Sequence, residues 1–300
     1  MITRRRFLHS LGGLFALGAS GGAYSFVIEP GFRLAVARWS VEHPHWPQSA
    51  PPLRIAVITD IHAVEPWMPA SRIAKIAEAA NALKPDLILL LGDYVSGLRS
   101  RYRTGLVPIA DWSAALRDLQ APLGVHAVLG NHDWWVDADA VRQGLEGNGI
   151  PVLENDAVKL DHRGQAVWLA GLGDQMAYRA GRRRYQGVDD LPGTLAKISG
   201  DGDPAILMAH EPDIFVKVPE RVTLTLSGHT HGGQVKLPFL GRPAVQTGHV
   251  KRYAYGHVVE DGRHIVVSAG LGLSIYPIRF MVPPEIALVT LTSPGGGTTV

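Results

Sequence analysis

Residues 53–62 read LRIAVITDIH, an apolar run that ends in a carboxylate and an imidazole. The run is short and rich in β-branched residues, which indicates a buried β-strand that ends at Asp60. Asp60 and His62 are two positions apart, and in an extended segment such side chains point to the same face. The stretch therefore predicts a strand with two metal ligands at its carboxyl end.

Four later apolar runs also end in side chains that bind metals. They are 86–91 before Gly92-Asp93, 124–129 before Gly130-Asn131-His132, 205–209 before His210, and 222–226 before Ser227-Gly228-His229-Thr230-His231. Because ligands in open α/β sheets bind at the carboxyl ends of the strands, we expect these side chains to converge. Oxygen and imidazole groups without thiolate favour Mn, Fe or Zn. The number of such groups exceeds what one ion needs and predicts two divalent ions that share a bridging carboxylate.

Two ions of this kind, roughly 3.5–4 Å apart, clamp the attacking and leaving oxygens of an in-line displacement. They also lower the pKa of a bridging water, so that hydroxide is available near neutral pH. The predicted chemistry is therefore hydrolysis of a phosphate ester by attack of a metal-bridging hydroxide.

The order of the runs predicts an α/β fold. Helical spacing over 71–83, 110–119 and 137–146 alternates with the first three strands, which predicts a largely parallel sheet covered by helices. The second half is richer in strands, with a run at 167–172, a hairpin around Asp261-Gly262 and a closing strand at 285–291. Neither a linker nor a repeat interrupts 53–293, so we expect one domain there and a tail at 294–300.

These motifs resemble, in their order and spacing, those of the calcineurin-like metallophosphoesterase superfamily. The residues that carry the resemblance are Asp60-Ile61-His62, Gly92-Asp93, Gly130-Asn131-His132, His210 and Gly228-His229-Thr230-His231. Four further segments resemble the bacterial branch of YkuE- and YaeI-like phosphodiesterases: Ile28-Glu29-Pro30, His210-Glu211-Pro212-Asp213, Gly232-Gly233-Gln234 and Leu271-Gly272-Leu273-Ser274. The resemblance implies a four-layer α/β/β/α sandwich with mixed central sheets and a metal site at the carboxyl ends of strands.

The resemblance also implies a role for each candidate residue. Asp60, His62 and His231 would bind the first metal, Asp93 would bridge both, and Asn131, His210 and His229 would bind the second. His132 would face the scissile phosphate as a general acid or a charge stabiliser.

We expect a phosphodiesterase that acts on a small-molecule or lipid phosphoester. One alternative is a phosphomonoesterase or a pyrophosphate-cleaving hydrolase similar to UDP-2,3-diacylglucosamine hydrolases. A second alternative is a metal-binding protein without catalysis, but such a protein has no need of His132.

Several charged residues near these motifs have two interpretations each. Asp133 and Asp174 either orient ligand imidazoles or belong to turns. The arginines Arg179, Arg182, Arg183 and Arg184 either contact an anionic substrate or form a solvated loop. They lie in segment 175–190, which matches none of the motifs and where we expect substrate choice to be made.

Composition excludes other classes of site and partner. The chain of 300 residues has no cysteine, which excludes thiolate metal sites and disulfides. Its formal net charge is only +2, and Arg4, Arg5 and Arg6 contribute three positive charges to it. The rest of the chain therefore lacks the basic surface of a nucleic-acid-binding protein.

Those arginines lie in a leading segment that we interpret as an export signal. They precede a weakly apolar, glycine-rich stretch at 11–27, which predicts a twin-arginine-type signal or anchor over 1–30. A leading strand at 34–41 and a proline-rich connection would follow within 31–52. The expected partners are the twin-arginine export machinery and the membrane, and the expected location is the periplasm or the outer face of the cytoplasmic membrane. The alternative is a plain basic-flanked anchor inserted by the general route.

Changing Arg4 and Arg5 together to lysine separates these two routes. Residues 1–50 would be fused to a reporter that is active outside the membrane only when it is exported in the folded state. Lysine keeps the charge, so a general-route anchor still inserts, whereas the twin-arginine route reads the arginines themselves. We expect the double-lysine fusion to lose export, and undiminished export would contradict the twin-arginine interpretation.

Overall fold

The computed structural model describes residues 18–102, 104–181, 184–200, 202–243 and 251–295. Arg4, Arg5 and Arg6, together with Arg182 and Arg183, lie outside the described residues. The helices are α1 (Glu29–Phe32), α2 (Ala70–Ala82), α3 (Ile109–Ala114), α4 (Asn131–Val136), α5 (Ala138–Glu146) and α6 (Leu191–Ala196). The strands are β1 (Ala35–Glu42), β2 (Leu53–Ile58), β3 (Val64–Glu65), β4 (Leu87–Leu91), β5 (Gly97–Leu98), β6 (Gly105–Leu106), β7 (Val125–Val128), β8 (Asp156–His162), β9 (Gln165–Gly171), β10 (Tyr178–Gly181), β11 (Arg184–Gln186), β12 (Ala205–Met208), β13 (Leu224–Ser227), β14 (Gly256–Glu260), β15 (Arg263–Val267), β16 (Ser274–Ile275) and β17 (Glu285–Thr292).

The first large sheet contains five strands in the order β1-β17-β2-β4-β7. Strands β2, β4 and β7 are parallel, and β17 runs antiparallel to β2. Every residue of β4, whose sequence is LILLL, is buried, as expected for a strand that is covered on both faces. The carboxyl ends of β2, β4 and β7 therefore lie at one edge of this sheet.

The second large sheet contains six strands in the order β14-β15-β13-β12-β9-β8. Strands β15, β13, β12 and β9 are parallel, and the outer strands β14 and β8 are antiparallel to their neighbours. The predicted hairpin joins β14 to β15, and Asp261 and Gly262 at its turn both have positive φ angles. A two-residue turn of that kind matches the twist of the flanking strands.

Alternate residues of the central strands pack into different layers. Leu89 of β4 and Ile206 of β12 belong to one apolar cluster between the two sheets. Ile88 and Leu90 point to the opposite face of the first sheet, where α2, α3 and α5 cover them. Leu207 points away from the first sheet into a third cluster, beneath α6 and the 3-10 helix Pro212–Lys217. The predicted four-layer sandwich with mixed sheets is confirmed.

Several elements were not predicted from the sequence, among them strand β8, the hairpin β10–β11 and helix α4. Strand β8 is an outer strand with alternating exposure, and the hairpin β10–β11 is exposed along both strands, so neither forms a continuous apolar run. Helix α4 has six residues, which is too short for a helical period to be recognised.

The segment before β1 contacts the body of the protein. Glu29 of α1 is fully buried, and its carboxylate accepts the backbone N–H groups of Met281 at 2.9 Å and Val282 at 2.5 Å. The predicted boundary at residue 30 falls within α1, and the division of the chain into 1–30, 31–52 and 53–293 stays a prediction. Among the described residues, none of the helices has both the length and the apolar character needed to span a membrane.

Candidate metal centre

Five strands from both sheets place the predicted ligands together. Asp60, Asp93 and Asn131 follow the carboxyl ends of β2, β4 and β7 in the first sheet, while His210 and His229 follow β12 and β13 in the second. The remaining ligand candidates are His62 and His231. All seven side chains are at most 7% exposed.

The first group consists of Asp60, His62 and His231. The Nε2 atoms of the two histidines lie 3.0 Å apart, and the His231 Nε2 lies 3.3 Å from Asp60 Oδ1. Ligands of one ion at about 2.1 Å are themselves separated by roughly 3.0–3.4 Å, so these spacings fit a shared cation.

The second group consists of Asp93, His210 and His229. Asp93 Oδ2 lies 3.3 Å from the Nε2 of His210 and 3.4 Å from the Nε2 of His62, which belongs to the first group. Asn131 joins the second group, since its Oδ1 lies 3.0 Å from the Nδ1 of His229. One carboxylate oxygen therefore lies next to an imidazole of each group.

The hydrogen bonds of the imidazoles show that this donor set fits cations. The Nδ1 atoms of His62 and His210 donate to the carbonyls of Val95 at 2.7 Å and Leu91 at 2.6 Å. In a neutral ring the opposite nitrogen, Nε2, then carries a lone pair. The buried Nε2 of His210 has no hydrogen-bond partner among the described residues, although it faces the Asp93 carboxylate. Two acceptors that face each other at this distance require a positive charge between them.

The electrostatics of the free protein lead to the same conclusion. Burial opposes a charge on His210, but the Asp93 carboxylate outweighs burial and raises the pKa of His210 well above its usual range. Burial also raises the pKa of Asp60. Two carboxylates in a dry site thus need cationic partners, and divalent ions supply them.

The backbone at most of the ligands is left-handed. Asp60, His62, Asp93, His229 and His231 have φ angles between 46° and 66°. The interpretation of Asp60 and His62 as two positions of an extended segment was therefore wrong. They reach the same group because the chain turns sharply after β2, and such strained residues are concentrated at functional sites.

The glycines before the ligands allow the strand ends to approach closely. A Cβ atom on Gly130 would lie 2.6 Å from the backbone nitrogen of Asp93 and 2.8 Å from Cε1 of His210. A Cβ atom on Gly228 would collide with the side chains of Thr59 and Asp60. No side chain fits at either position without displacing a ligand.

Asp133 fixes the geometry of the first sheet's ligands. It is fully buried, and its two carboxylate oxygens accept the backbone N–H groups of Asp93 at 2.8 Å, Tyr94 at 2.9 Å, Val95 at 3.2 Å and Gly130 at 2.9 Å. Asp133 therefore orients backbone rather than imidazoles, which is a role that neither of its two interpretations from sequence described.

Asp174 belongs to a turn, which is one of its two predicted roles. Its Oδ1 accepts the N–H of Met176 at 2.7 Å, which is a local turn. Burial and the neighbouring Glu211 carboxylate raise the pKa of Asp174 well above its usual range.

His132 belongs to neither ligand group. Its backbone N–H donates to Asp93 Oδ1 at 2.8 Å, and its ring packs against His62 and Trp135 with centroids 5.0 Å and 4.7 Å away. Burial lowers the pKa of His132 to about 3, against the opposite effect of the Asp93 carboxylate. The ring lines an open cleft of about 1620 Å³, and Asp93, Asn131 and His229 also line this cleft.

Arg279 is a site residue that the sequence did not single out. Its guanidinium is fully buried and donates to the carbonyls of Ala269 at 2.9 Å and Val282 at 3.0 Å, and its Nη2 lies 3.4 Å from Nδ1 of His231. A lone arginine in an apolar segment carries no periodic signal, so only the folded chain shows that it supports a ligand.

Comparisons with known proteins agree with this geometry. The family model described as calcineurin-like phosphoesterase matches residues 53–261. The uncharacterized metallophosphoesterase YkuE of Bacillus subtilis is 32% identical over 300 residues, which cover 97% of this chain and 98% of the relative. The phosphodiesterase YaeI of Escherichia coli is 32% identical over 300 residues, covering 97% of this chain and 100% of the relative. An uncharacterized metallophosphoesterase of Aquifex aeolicus is 30% identical over 279 residues, covering 91% and 97%.

Replacing Asp133 by asparagine tests its role in holding the strand ends. Asparagine offers one acceptor oxygen and would place an NH₂ group against two of the four N–H donors. Since a hydrogen bond to a charged group contributes about 1.5–3 kcal/mol, we expect Asp133→Asn to lower the free energy of unfolding by about 3 kcal/mol or more. Burial and the neighbouring Asp93 carboxylate raise the pKa of Asp133 to about 7, so denaturant titration well above neutral pH, where Asp133 is charged, measures this change.

Asp137→Asn is the matched control. Asp137 is exposed and caps α5 by accepting the N–H of Ala140 at 3.0 Å, a role that asparagine fills equally well. Equal free energies of unfolding for the two variants would contradict the role given to Asp133.

Proposed function

The chain belongs to the calcineurin-like phosphoesterase family, and from that premise we propose that it hydrolyses phosphodiesters with a pair of divalent metal ions. Family membership makes it a hydrolase of phosphoric ester bonds. The observation that carries the two-metal proposal is the position of Asp93 Oδ2, which lies 3.4 Å from His62 Nε2 and 3.3 Å from His210 Nε2. A single carboxylate oxygen between two imidazole groups is what a bridging ligand requires.

The ligand chemistry supports Mn, Fe or Zn as the metals. In the proposed assignment, Asp60, His62 and His231 would hold the first ion, Asn131, His210 and His229 would hold the second, and Asp93 would be a ligand of both. Every donor is oxygen or imidazole nitrogen, which such ions accept. When bound, the ions supply Lewis acidity that lowers the pKa of water and offsets negative charge on the phosphate.

His132 is the protein group that we propose acts on the substrate directly. Its ring lines the cleft beside the ligands without belonging to either group. A neutral ring whose N–H is directed at the leaving oxygen would stabilise the charge that develops there through a hydrogen bond. The hydrogen bond from its backbone to Asp93 fixes the distance between this ring and the ligands.

The size of the cleft supports a diester over a monoester. A diester has an alcohol on each side of the phosphorus, and a cleft of about 1620 Å³ leaves room for both arms. A relative of nearly equal length, YaeI, is named a phosphodiesterase. The alternatives are a phosphomonoesterase, which the paired comparison of a diester with a monoester separates from a phosphodiesterase, and a pyrophosphate-cleaving hydrolase.

We also propose that the enzyme acts outside the cytoplasmic membrane, on a small-molecule or lipid phosphoester. The arginine run at 4–6 supports export, and the exposed side chains of Phe26, Val27, Ile28 and Phe32 support contact with a membrane surface. The low net charge argues against nucleic acid as a partner.

A paired assay tests the proposed reaction. The purified chain, reconstituted with Mn²⁺, would be given bis(p-nitrophenyl) phosphate and p-nitrophenyl phosphate. We expect a higher kcat/KM for the diester, and we expect Asp93→Asn to abolish turnover and reduce bound metal. A faster monoester reaction would support the alternative, and an Asp93→Asn protein with normal metal content and rate would falsify the bridging assignment.

Replacing His132 by alanine tests its action on the leaving oxygen. We expect kcat to fall by roughly 10²–10⁴, the range for general acid–base help, with bound metal unchanged. The loss should be larger for an alkyl leaving group than for p-nitrophenolate, because the poorer leaving group depends more on charge stabilisation. If both substrates lose the same factor, His132 positions the phosphate instead.

A further inference from the structure

The wall of the cleft beyond the ligands is built by the hairpin β10–β11, which the metal chemistry does not use. Both strands of this hairpin are exposed, so core packing does not explain its position. Its residues Tyr178, Arg179 and Tyr185 line the same cleft as His132.

Two tryptophans of α4 attach the hairpin to the metal centre. The Trp135 ring stacks on Tyr185 with centroids 5.7 Å apart, and its Nε1 donates to the Met176 carbonyl at 2.9 Å. Trp134 meets Tyr178 edge-on at 5.4 Å. Both lie in α4, two and three positions after His132, so the hairpin is fixed relative to the site by a single short helix.

This attachment holds Arg179 close to the reacting groups. Its guanidinium carbon lies 3.9 Å from the centre of the Trp135 ring, and the same ring packs 4.7 Å from the ring of His132. One indole therefore separates the cation from the proposed catalytic histidine. A guanidinium restrained on an aromatic face loses less side-chain entropy when it binds an anion than a free one does.

Two further arginines, Arg99 and Arg101, line the same cleft, and the guanidinium carbon of Arg99 lies 4.7 Å from the centre of the Tyr276 ring. In the part of the chain that the structure describes, neither these two nor Arg179 forms an ion pair with a carboxylate. Their positive charges are thus available to a ligand in the cleft.

We propose that Arg179 and Arg99 form a second anion site, which binds a negatively charged group on the non-scissile arm of the substrate. The inference rests on the proposed phosphodiesterase activity and narrows it to diesters that carry a second anionic group, such as a carboxylate or a further phosphate. Guanidinium groups pair with both through parallel N–H donors. Of the arginine cluster in segment 175–190, the inference uses Arg179 alone.

Two isosteric substrates test the site. Both are p-nitrophenyl phosphodiesters; the second arm is 2-carboxyethyl in one and 2-carbamoylethyl in the other. The Mn²⁺-reconstituted full chain is assayed with each, and the ratio of the two kcat/KM values is compared between the wild type, Arg179→Gln, Arg99→Gln and Arg184→Gln. Arg184 is the matched control, since it carries the same charge on β11 without lining the cleft.

We expect the wild type to prefer the carboxylate arm by about fivefold, the upper range for solvent-exposed ion pairs, and the preference to weaken at high salt. Arg179→Gln and Arg99→Gln should each reduce the ratio, whereas Arg184→Gln should retain it. A wild type that treats both arms alike, or a ratio unaffected by Arg179→Gln, overturns the inference. If the enzyme hydrolyses bis(p-nitrophenyl) phosphate but neither test substrate, the inference is wrong and the proposed function stands. If it hydrolyses no diester at all, the proposed function is wrong too.

Discussion

The Asp133 carboxylate joins two strand ends, and the arrangement of the candidate metal centre depends on this contact. By accepting four backbone N–H groups, it fixes Asp93 after β4 against Gly130 after β7. The neighbouring residues of α4 connect this contact to the rest of the site. Asn131 contacts His229, His132 lines the cleft, and Trp134 and Trp135, which follow Asp133, attach the hairpin β10–β11. One helical turn and a half thus connects the ligands, the proposed catalytic group and the substrate wall.

The sequence predicted the parts of this protein that follow from repeated local patterns. Continuous apolar runs predicted the central strands, and the polar residue after each run predicted where the ligand candidates lie, because parallel strands end at a common edge. The sequence did not predict contacts that form only between distant segments. Arg279 beside His231 and Asp133 beside the loop after β4 are of this kind, and neither has a periodic neighbour to indicate it.

The backbone conformation at the ligands was the feature that the sequence predicted wrongly, and the reason is physical. An alternating pattern describes residues within a strand, but Asp60 and His62 lie just beyond β2, where the chain is left-handed. A left-handed conformation costs an ordinary residue roughly 1–2 kcal/mol, and Asp, Asn and His tolerate it better than β-branched residues do. Five such residues at one centre therefore require rigid surroundings, which the buried strands before them and the closely packed glycines beside them supply.

Strand β1 lies at the end of its sheet beside β17. Just before β1, the Glu29 carboxylate accepts hydrogen bonds from Met281 and Val282, which lie 252 and 253 positions later in the chain. During synthesis at roughly 5–20 residues per second, the start of the chain consequently waits many seconds before its strand partner leaves the ribosome. Until then neither Glu29 nor β1 can complete its contacts, and both stay accessible on the nascent chain. Docking of α1 and completion of the first sheet are therefore late events, which follow synthesis of nearly the whole domain.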